Sequence, residues 1–152
     1  MKLIPTASQT VGPFFSIGLT PLYQNAAKAA PAGAITLSGV VTDGDGQPIP
    51  DCVLEFWTEN SFTRLPTSAD GRYSVVLEAQ AGMREVLLFM RGLLKPAYTR
   101  MYLGSVKIED DVLKVVPQER IATLFARPGI ASDQYVWNIK MQGKDETVFF
   151  DY

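Results

Sequence analysis

The sequence predicts an all-β fold, a single-domain β-sandwich with one short helix. Seven or so short segments are apolar or alternate between apolar and polar residues, and turn-forming residues separate them. One segment, Pro117 to Ala126, has the spacing of apolar residues typical of an amphipathic helix. The 152 residues, 47% of them hydrophobic, suffice for one core and contain no internal repeat. We therefore expect an N-terminal arm and connector at 1–33 and the sandwich at 34–152.

The composition limits the partners and the compartment. A net charge of −2 with scattered Lys and Arg argues against a nucleic acid partner. Cys52 is the single cysteine and cannot form an internal disulfide, and its place in an apolar run predicts a packed thiol rather than a reactive one. The N-terminal residues lack the pattern of a secretion signal, and no apolar run reaches the length of a membrane span. These features predict a soluble, cytoplasmic protein.

Residues 1–33 form a polar, turn-rich arm followed by an alanine-rich connector. Asn25 to Ala30 in the connector has the composition of one or two helical turns. Such an arm packs either on its own sandwich or on a neighbouring chain, and the sequence leaves both open. The apolar residues available for this packing are Val11, Phe14, Phe15, Ile17 and Leu19.

The segment from Ala34 to Trp57 predicts a β-hairpin. Ile35 to Thr42 alternates with a period of two, which indicates a strand with one buried face. Cys52 to Trp57 is a shorter apolar run in which Glu55 is the one charge. The residues between these runs are rich in Asp, Gly and Pro, which favour turns.

Downstream of the hairpin, Thr58 to Pro66 is mostly polar, and no strand is predicted there. Strands are predicted at Arg72 to Leu77, Val86 to Leu94, Tyr98 to Leu103, Lys107 to Val116 and Gln134 to Gln142. In the last of these, Tyr135, Trp137, Ile139 and Met141 share one face. The C-terminal residues remain apolar, which predicts that this end is docked.

The residue types exclude several kinds of chemistry. The sequence contains no histidine, so it lacks the commonest general base and the imidazole ligand of most metal sites. Asp43 to Gly46 resembles the start of a calcium loop, but the twelfth position is Leu54 where a bidentate Glu is required, which favours a plain turn. Tyrosinates can bind ferric iron, but core packing is the commoner role of tyrosine.

Arg91 is the unusual residue of the predicted central strand. A guanidinium inside an apolar strand requires an anion or a row of acceptors, because an unpaired buried charge is costly. Two interpretations remain open at this point. Either Arg91 forms a salt bridge within the fold, with Glu55 or Glu85, or it has a role at a ligand site or interface.

Several segments resemble, in order and nearly from end to end, the alpha subunits of protocatechuate 3,4-dioxygenases in the intradiol ring-cleavage family. They are SQTVGPFF at 8–15 followed by IGL at 17–19, GVVTDGDGQPIPDCVLEFW at 39–57, FMRGLL at 89–94, TRMYL at 99–103, Pro117 to Leu124, and QGKDETVFFD at 142–151. The resemblance is specific because one chain contains both the arm motif and the C-terminal ETVFFD.

The resemblance implies a β-sandwich of the intradiol dioxygenase type. It also implies a complex that opens 3,4-dihydroxybenzoate with O2 to give 3-carboxy-cis,cis-muconate, with Fe(III) held by two Tyr and two His of a beta subunit. The alpha subunit of such a complex closes the pocket. By position, the substrate-pocket wall contains Thr10, Gly12, Pro13, Phe14 and Arg91, where Arg91 offsets the charge of the substrate.

The same resemblance implies that this chain holds no iron and has no catalytic residue of its own. The iron-binding His-x-His falls near Met83 and Glu85. The two ligand tyrosines fall in the stretches after Trp57 and after Leu77, which look shortened. The expected function is therefore that of a non-catalytic alpha-type subunit. The alternative is a stand-alone, metal-free β-sandwich that binds a small aromatic acid or a protein partner.

Overall fold

The computed structural model describes residues 4–12, 14–23, 33–78, 82–104 and 110–151. The predicted all-β sandwich is confirmed, because two sheets pack face to face around one core. The strands are β1 (Ile35–Thr42), β2 (Val53–Trp57), β3 (Phe62–Pro66), β4 (Arg72–Leu77), β5 (Gly82–Phe89), β6 (Ala97–Leu103), β7 (Arg127–Pro128), β8 (Gln134–Val136) and β9 (Ile139–Lys140). The helices are α1 (Phe14–Gly18) and α2 (Asp111–Val115), with 3-10 turns at Thr20–Leu22 and Ile121–Leu124.

The predicted hairpin from Ala34 to Trp57 is wrong, because its two strands lie in different sheets. The first sheet has the order β4-β1-β8-β7, with β9 also paired to β1, and the second has the order β3-β2-β5-β6. The connection from β1 to β2 crosses between the sheets, and its prolines remove amides that a hairpin ladder would use. The hairpin partner of β2 is β3, a strand that the sequence analysis did not predict.

The core confirms which residues of the strands face inward. Ile35, Leu37 and Val41 of β1 are buried, as the alternation predicts, and the thiol of Cys52 is fully buried. Gly39 occupies the remaining inward position of β1 because Trp137 and Tyr73, which lie beside β1 in the same sheet, leave no room for a side chain. A Cβ there would lie 1.9 Å from the carbonyl oxygen of Trp137.

A second apolar cluster covers the outer face of the second sheet. The two segments that supply most of it do not form the predicted strand and helix. Lys107 to Val116 does not form a strand over the described residues, because Asp110 caps α2 by accepting the amide of Val112 at 2.9 Å. Pro117 to Ala126 contains only the 3-10 turn, because Phe125 leaves it to bridge to Tyr102 of β6. The members of this cluster are Tyr102, Leu113, Val116, Ile121, Leu124 and Phe125.

The strand predicted from Gln134 to Gln142 is divided into β8 and β9. The side chain of Asn138 interrupts it by accepting the amide of Val40 through Oδ1 at 3.1 Å. The predicted face is confirmed, since Trp137 and Ile139 are buried and Tyr135 and Met141 pack on the core. The C-terminal segment is also docked as predicted, because the amide of Phe150 donates to the carbonyl of Tyr98 at 2.8 Å.

Candidate functional site

The N-terminal arm lies on the second sheet of its own sandwich. Its first contact is made by Thr10, whose Oγ1 accepts a hydrogen bond from the amide of Gly92 at 2.8 Å. The second is made by Phe15, whose ring centroid lies 6.0 Å from that of Phe89. Phe89 pairs across strands with Val53, which is fully buried and faces away from the main core. The arm therefore covers the outer face of this sheet near the end of β5.

Arg91 does not lie in a strand, which corrects the prediction for Val86 to Leu94. β5 ends at Phe89, and the chain turns at Arg91 and Gly92, where Gly92 has a φ of +93°. Both predicted salt-bridge partners are engaged elsewhere: Glu55 with Arg64 at 2.6 Å, and Glu85 with the hydroxyl of Tyr98 at 3.1 Å.

The anion that faces Arg91 is Asp51. Asp51 Oδ2 lies 3.8 Å from Nε of Arg91, and the Arg91 side chain is 62% exposed. The guanidinium is therefore presented at the surface, beside the arm, and not buried within the sheet.

The structure brings some of the predicted pocket-wall residues together. Thr10 reaches the turn that carries Arg91 through its hydrogen bond with the next residue. Gly12 has a φ of +72°, which permits the arm to bend there, while Phe14 is 78% exposed. Pro13 lies outside the described residues, as do Asn25 to Ala30 of the connector. Thr10 and Arg91 thus share one site, and Phe14 is an exposed residue of the same arm.

A small apolar groove of about 120 Å³ lies between the arm and the turn after β5. It is lined by Gln9 and Val11 of the arm and by Phe89, Met90, Leu93, Leu94, Lys95 and Pro96. The arm and the Arg91 turn therefore form a continuous surface that has both an apolar part and a cation.

The three segments in which the resemblance places iron ligands also lie together, at the opposite end of β5. An open cavity of about 590 Å³ is lined by Trp57, Thr58, Glu59, Asn60, Met83, Arg84 and Glu85. The buried guanidinium of Arg84 donates to the carbonyl of Glu78, just after β4.

These cavity residues do not fit a ferric site with two Tyr and two His ligands. They offer carboxylates, an amide and a thioether. The positive charge of the buried Arg84 would also repel a metal cation in this cavity. No group of three or more His, Cys, Asp or Glu side chains able to hold a metal is found in the described part of the chain. No described helix is both long and apolar enough to cross a membrane.

A polar network that the sequence analysis missed ties α2 to β6. Asp110 Oδ2 accepts from the hydroxyl of Tyr102 at 2.7 Å and from Nη1 of Arg100 at 3.0 Å. Burial, with a further contribution from Asp110, raises the pKa of Tyr102 to about 12. Burial raises the pKa of Asp110, but hydrogen bonds from Tyr102 and the amide of Val112 and the charge of Arg100 outweigh this effect and lower it. Arg100 and Tyr102 are two residues apart in a predicted strand and therefore lie on the same face. This spacing is the sequence signal for their shared contact with Asp110.

Comparison with curated proteins identifies two similar chains. The chain is 33% identical over 190 aligned residues to the protocatechuate 3,4-dioxygenase alpha chain of Burkholderia cepacia, which covers 96% of each protein. It is 30% identical over 199 residues to the alpha chain of the same name from Pseudomonas putida, covering 100% of this chain and 99% of the relative. Both aligned lengths exceed the 152 residues here, so both relatives carry insertions that this chain lacks. No protein-family model matches the chain.

Solved structures support the fold. The dioxygenase domain of a carbohydrate-binding fusion protein from Streptomyces sp. SirexAA-E aligns with a TM-score of 0.57 at 15% identity, covering 92% of this chain and 99% of that domain. An intradiol ring-cleavage dioxygenase from Tetranychus urticae aligns with a TM-score of 0.51 at 6% identity, covering 76% of this chain and 84% of that one. At these identities the likeness concerns the fold.

Proposed function

We propose a subunit role for this chain, because it belongs to the family of protocatechuate 3,4-dioxygenase alpha chains. In this proposal it is the non-catalytic alpha-type subunit of a ferric intradiol dioxygenase complex. The partner beta subunit carries the Fe(III), and the complex cleaves protocatechuate (3,4-dihydroxybenzoate) with O2 to 3-carboxy-cis,cis-muconate. This chain contributes one wall of the pocket and contacts for assembly.

The observation that supports the proposal most strongly is the contact between the arm and the Arg91 turn. Two segments that are 82 residues apart meet through the hydrogen bond from the amide of Gly92 to Thr10. The result is a cation held at a surface that also has an apolar groove. An aromatic acid requires such a combination, because its ring is apolar and its carboxylate pairs well with a guanidinium.

The outward side of the arm supports a role in assembly. Large apolar side chains remain exposed there and on the neighbouring turn, and apolar surface of this kind is typical of a face that a partner covers. These side chains are Val11 (46% exposed), Phe14 (78%), Ile17 (65%), Leu22 (58%) and Leu94 (64%). In the proposed complex the partner covers this face, which also shields Arg91 from water.

The chemistry of ring cleavage is assigned to the partner because this chain has no suitable ligand set. The full sequence contains no histidine, and the cavity beside Met83 and Glu85 has no tyrosine in its lining. What this chain supplies is a positive charge and a water-excluding surface at one side of the substrate.

Co-expression with a candidate beta subunit tests the proposal. Bound iron, the visible absorption of ferric tyrosinate and ring cleavage are measured for the chain alone and for the pair. We expect a colourless, iron-free chain that joins a coloured, active complex. Iron and colour in the chain alone would contradict the assignment of the metal to the partner. Absence of association would favour the alternative, a stand-alone metal-free module that binds a small aromatic acid or another protein.

The pocket role is tested in the complex with Arg91→Ala. Hydrogen bonds to charged groups contribute about 1.5–3 kcal/mol, so the KM for protocatechuate should rise roughly tenfold to a hundredfold. Arg72→Ala is the matched control, since Arg72 is also an exposed arginine in an ion pair, with Asp70. An unchanged KM in the Arg91 variant would refute the contact with the substrate carboxylate.

A further inference from the structure

The pairing of β2 with β5 brings Asp51 close to Arg91. In this antiparallel pair Val53 lies opposite Phe89, at the start of β2 and the end of β5. Asp51 lies in the turn just before β2, and Arg91 lies in the turn just after β5, so both residues lie beyond the same end of this strand pair. The ion pair between Asp51 and Arg91 joins these two turns.

The backbone around Asp51 is well anchored. The amide of Cys52 donates to Oγ1 of Thr67 at 3.1 Å, and the amide of Thr67 donates to the carbonyl of Cys52 at 2.7 Å. Asp51 itself has a φ of +67°, a conformation that Asn adopts as readily as Asp. Asparagine at this position thus keeps the backbone and the shape of the side chain and removes only the charge.

The geometry of the pair leaves Arg91 available to a second anion. The separation of 3.8 Å is longer than a charge-assisted hydrogen bond, and the closest approach is made by Nε. The guanidinium donates no hydrogen bond to any residue in the described part of the chain. Its terminal nitrogens can therefore donate hydrogen bonds to a planar carboxylate, while Asp51 Oδ2 remains next to the same guanidinium.

We infer that Asp51 is a specificity-determining residue that competes with the carboxylate of the ring substrate for Arg91. This inference rests on the proposed function. A carboxylate bound at Arg91 must share the guanidinium with Asp51, so the ion pair with Asp51 weakens its binding. The product carries three carboxylates where the substrate carries one, because ring opening creates two more. Asp51 therefore weakens binding of the product at least as much as binding of the substrate, and it favours product release.

Asp51→Asn in the complete complex tests this inference. Exposed ion pairs of this kind change affinity by roughly up to fivefold. At low salt we expect the KM for protocatechuate to fall about two- to fivefold and the inhibition constant of 3-carboxy-cis,cis-muconate to fall at least as far. The KM for catechol, which lacks the carboxylate, should not change. Asp111→Asn is the control, because it removes the same charge from an exposed ion pair with Lys114, within α2.

A double-variant cycle with Arg91→Ala identifies the origin of the effect. If the charge of Asp51 acts through Arg91, Asp51→Asn should have no effect on KM when Arg91 is already alanine. An Asp51→Asn complex with an unchanged or higher KM for protocatechuate, or an equal change for catechol, would overturn the inference. If Arg91→Ala raises this KM and Asp51→Asn does not lower it, the inference alone fails. If Arg91→Ala has no effect, the proposed pocket role fails and the inference fails with it.

Discussion

Asp110→Ala should be among the most destabilising single changes outside the core. The two oxygens of Asp110 accept hydrogen bonds from three donors on two segments, α2 and β6. Oδ1 accepts from the amide of Val112 and caps α2, while Oδ2 accepts from the hydroxyl of Tyr102 and from Nη1 of Arg100. The side chains of Asp110 and Arg100 are 18% and 19% exposed, so the network is shielded from water on most sides.

The magnitude follows from what alanine would leave behind. Loss of the cap costs about 0.5–2 kcal/mol. Tyr102 is fully buried, and a buried hydroxyl without a partner costs about 1–3 kcal/mol. Because the two terms share one side chain they are not additive, and we expect the free energy of unfolding to fall by about 3 kcal/mol. For a chain of this size that corresponds to a decrease in Tm of roughly 6–12 °C.

Urea unfolding followed by tryptophan fluorescence measures this loss, with Asp111→Ala as the matched control. Asp111 is the adjacent residue, and its side chain is 92% exposed. Its replacement should change the free energy of unfolding by less than about 0.5 kcal/mol. A loss below about 1 kcal/mol for Asp110→Ala would refute the argument that the network is a stabilising one.

The dependence on pH gives a second test. The pKa of Asp110 in the folded chain is below the ordinary aspartate value of 3.8. A carboxyl with a lowered pKa stabilises the fold at pH values above its unfolded pKa, and this stability is lost as the pH falls through the folded pKa. The difference between the wild type and Asp110→Asn should be constant from pH 5 to 7 and should shrink below about pH 4. A difference that persists unchanged at pH 3 would exclude the ionised carboxylate as its source.

Two further predictions concern the core. Gly39→Ala should lower the free energy of unfolding by more than about 2 kcal/mol, since its Cβ would lie 1.9 Å from the carbonyl oxygen of Trp137; urea unfolding that matches the wild type would contradict this. Burial raises the pKa of Cys52 to about 12, so the thiol should react with a disulfide reagent at pH 8 only when urea unfolds the chain. Stoichiometric labelling of the native chain at that pH would be evidence against the buried position.

The sequence predicts strands and their faces better than it predicts their pairing. β1 and β4 were predicted within a residue or so because alternation is a local consequence of one buried face. Which strand lies next to which depends on contacts between distant residues, and no local pattern reports them. The prolines and glycines between β1 and β2 fit a hairpin turn and a crossover between sheets equally well. The same limit explains why β3 was missed, since its buried residue Leu65 lies in a mostly polar segment.

Apolarity alone also misplaced the end of β5. Met90 and Leu93 are apolar although they lie in the turn, because the turn packs against the core and the apolar groove. The local signal that separates the two cases is Gly92, whose positive φ an ordinary residue adopts only at a cost. Because Gly92 favours a turn, Arg91-Gly92 is a turn pair, and Arg91 needs no buried partner. For α2 the signal was Asp110, a good N-cap residue directly before an apolar-containing segment.

The proposed site combines residues that are far apart in sequence, and each is positioned by a different element of the fold. Asp51 is positioned by the turn that precedes β2, and Arg91 by the turn that follows β5. Thr10 is positioned by the arm, which depends on the contact of Phe15 with Phe89. The affinity of Arg91 for a carboxylate would therefore depend on the charge of Asp51. It would also depend on the arm, because the amide of Gly92 donates to Thr10. A partner that covers the exposed side of the arm would stabilise the Arg91 turn through the same hydrogen bond. Assembly and affinity for the acid should thus be coupled, because both depend on the arm remaining on the sheet.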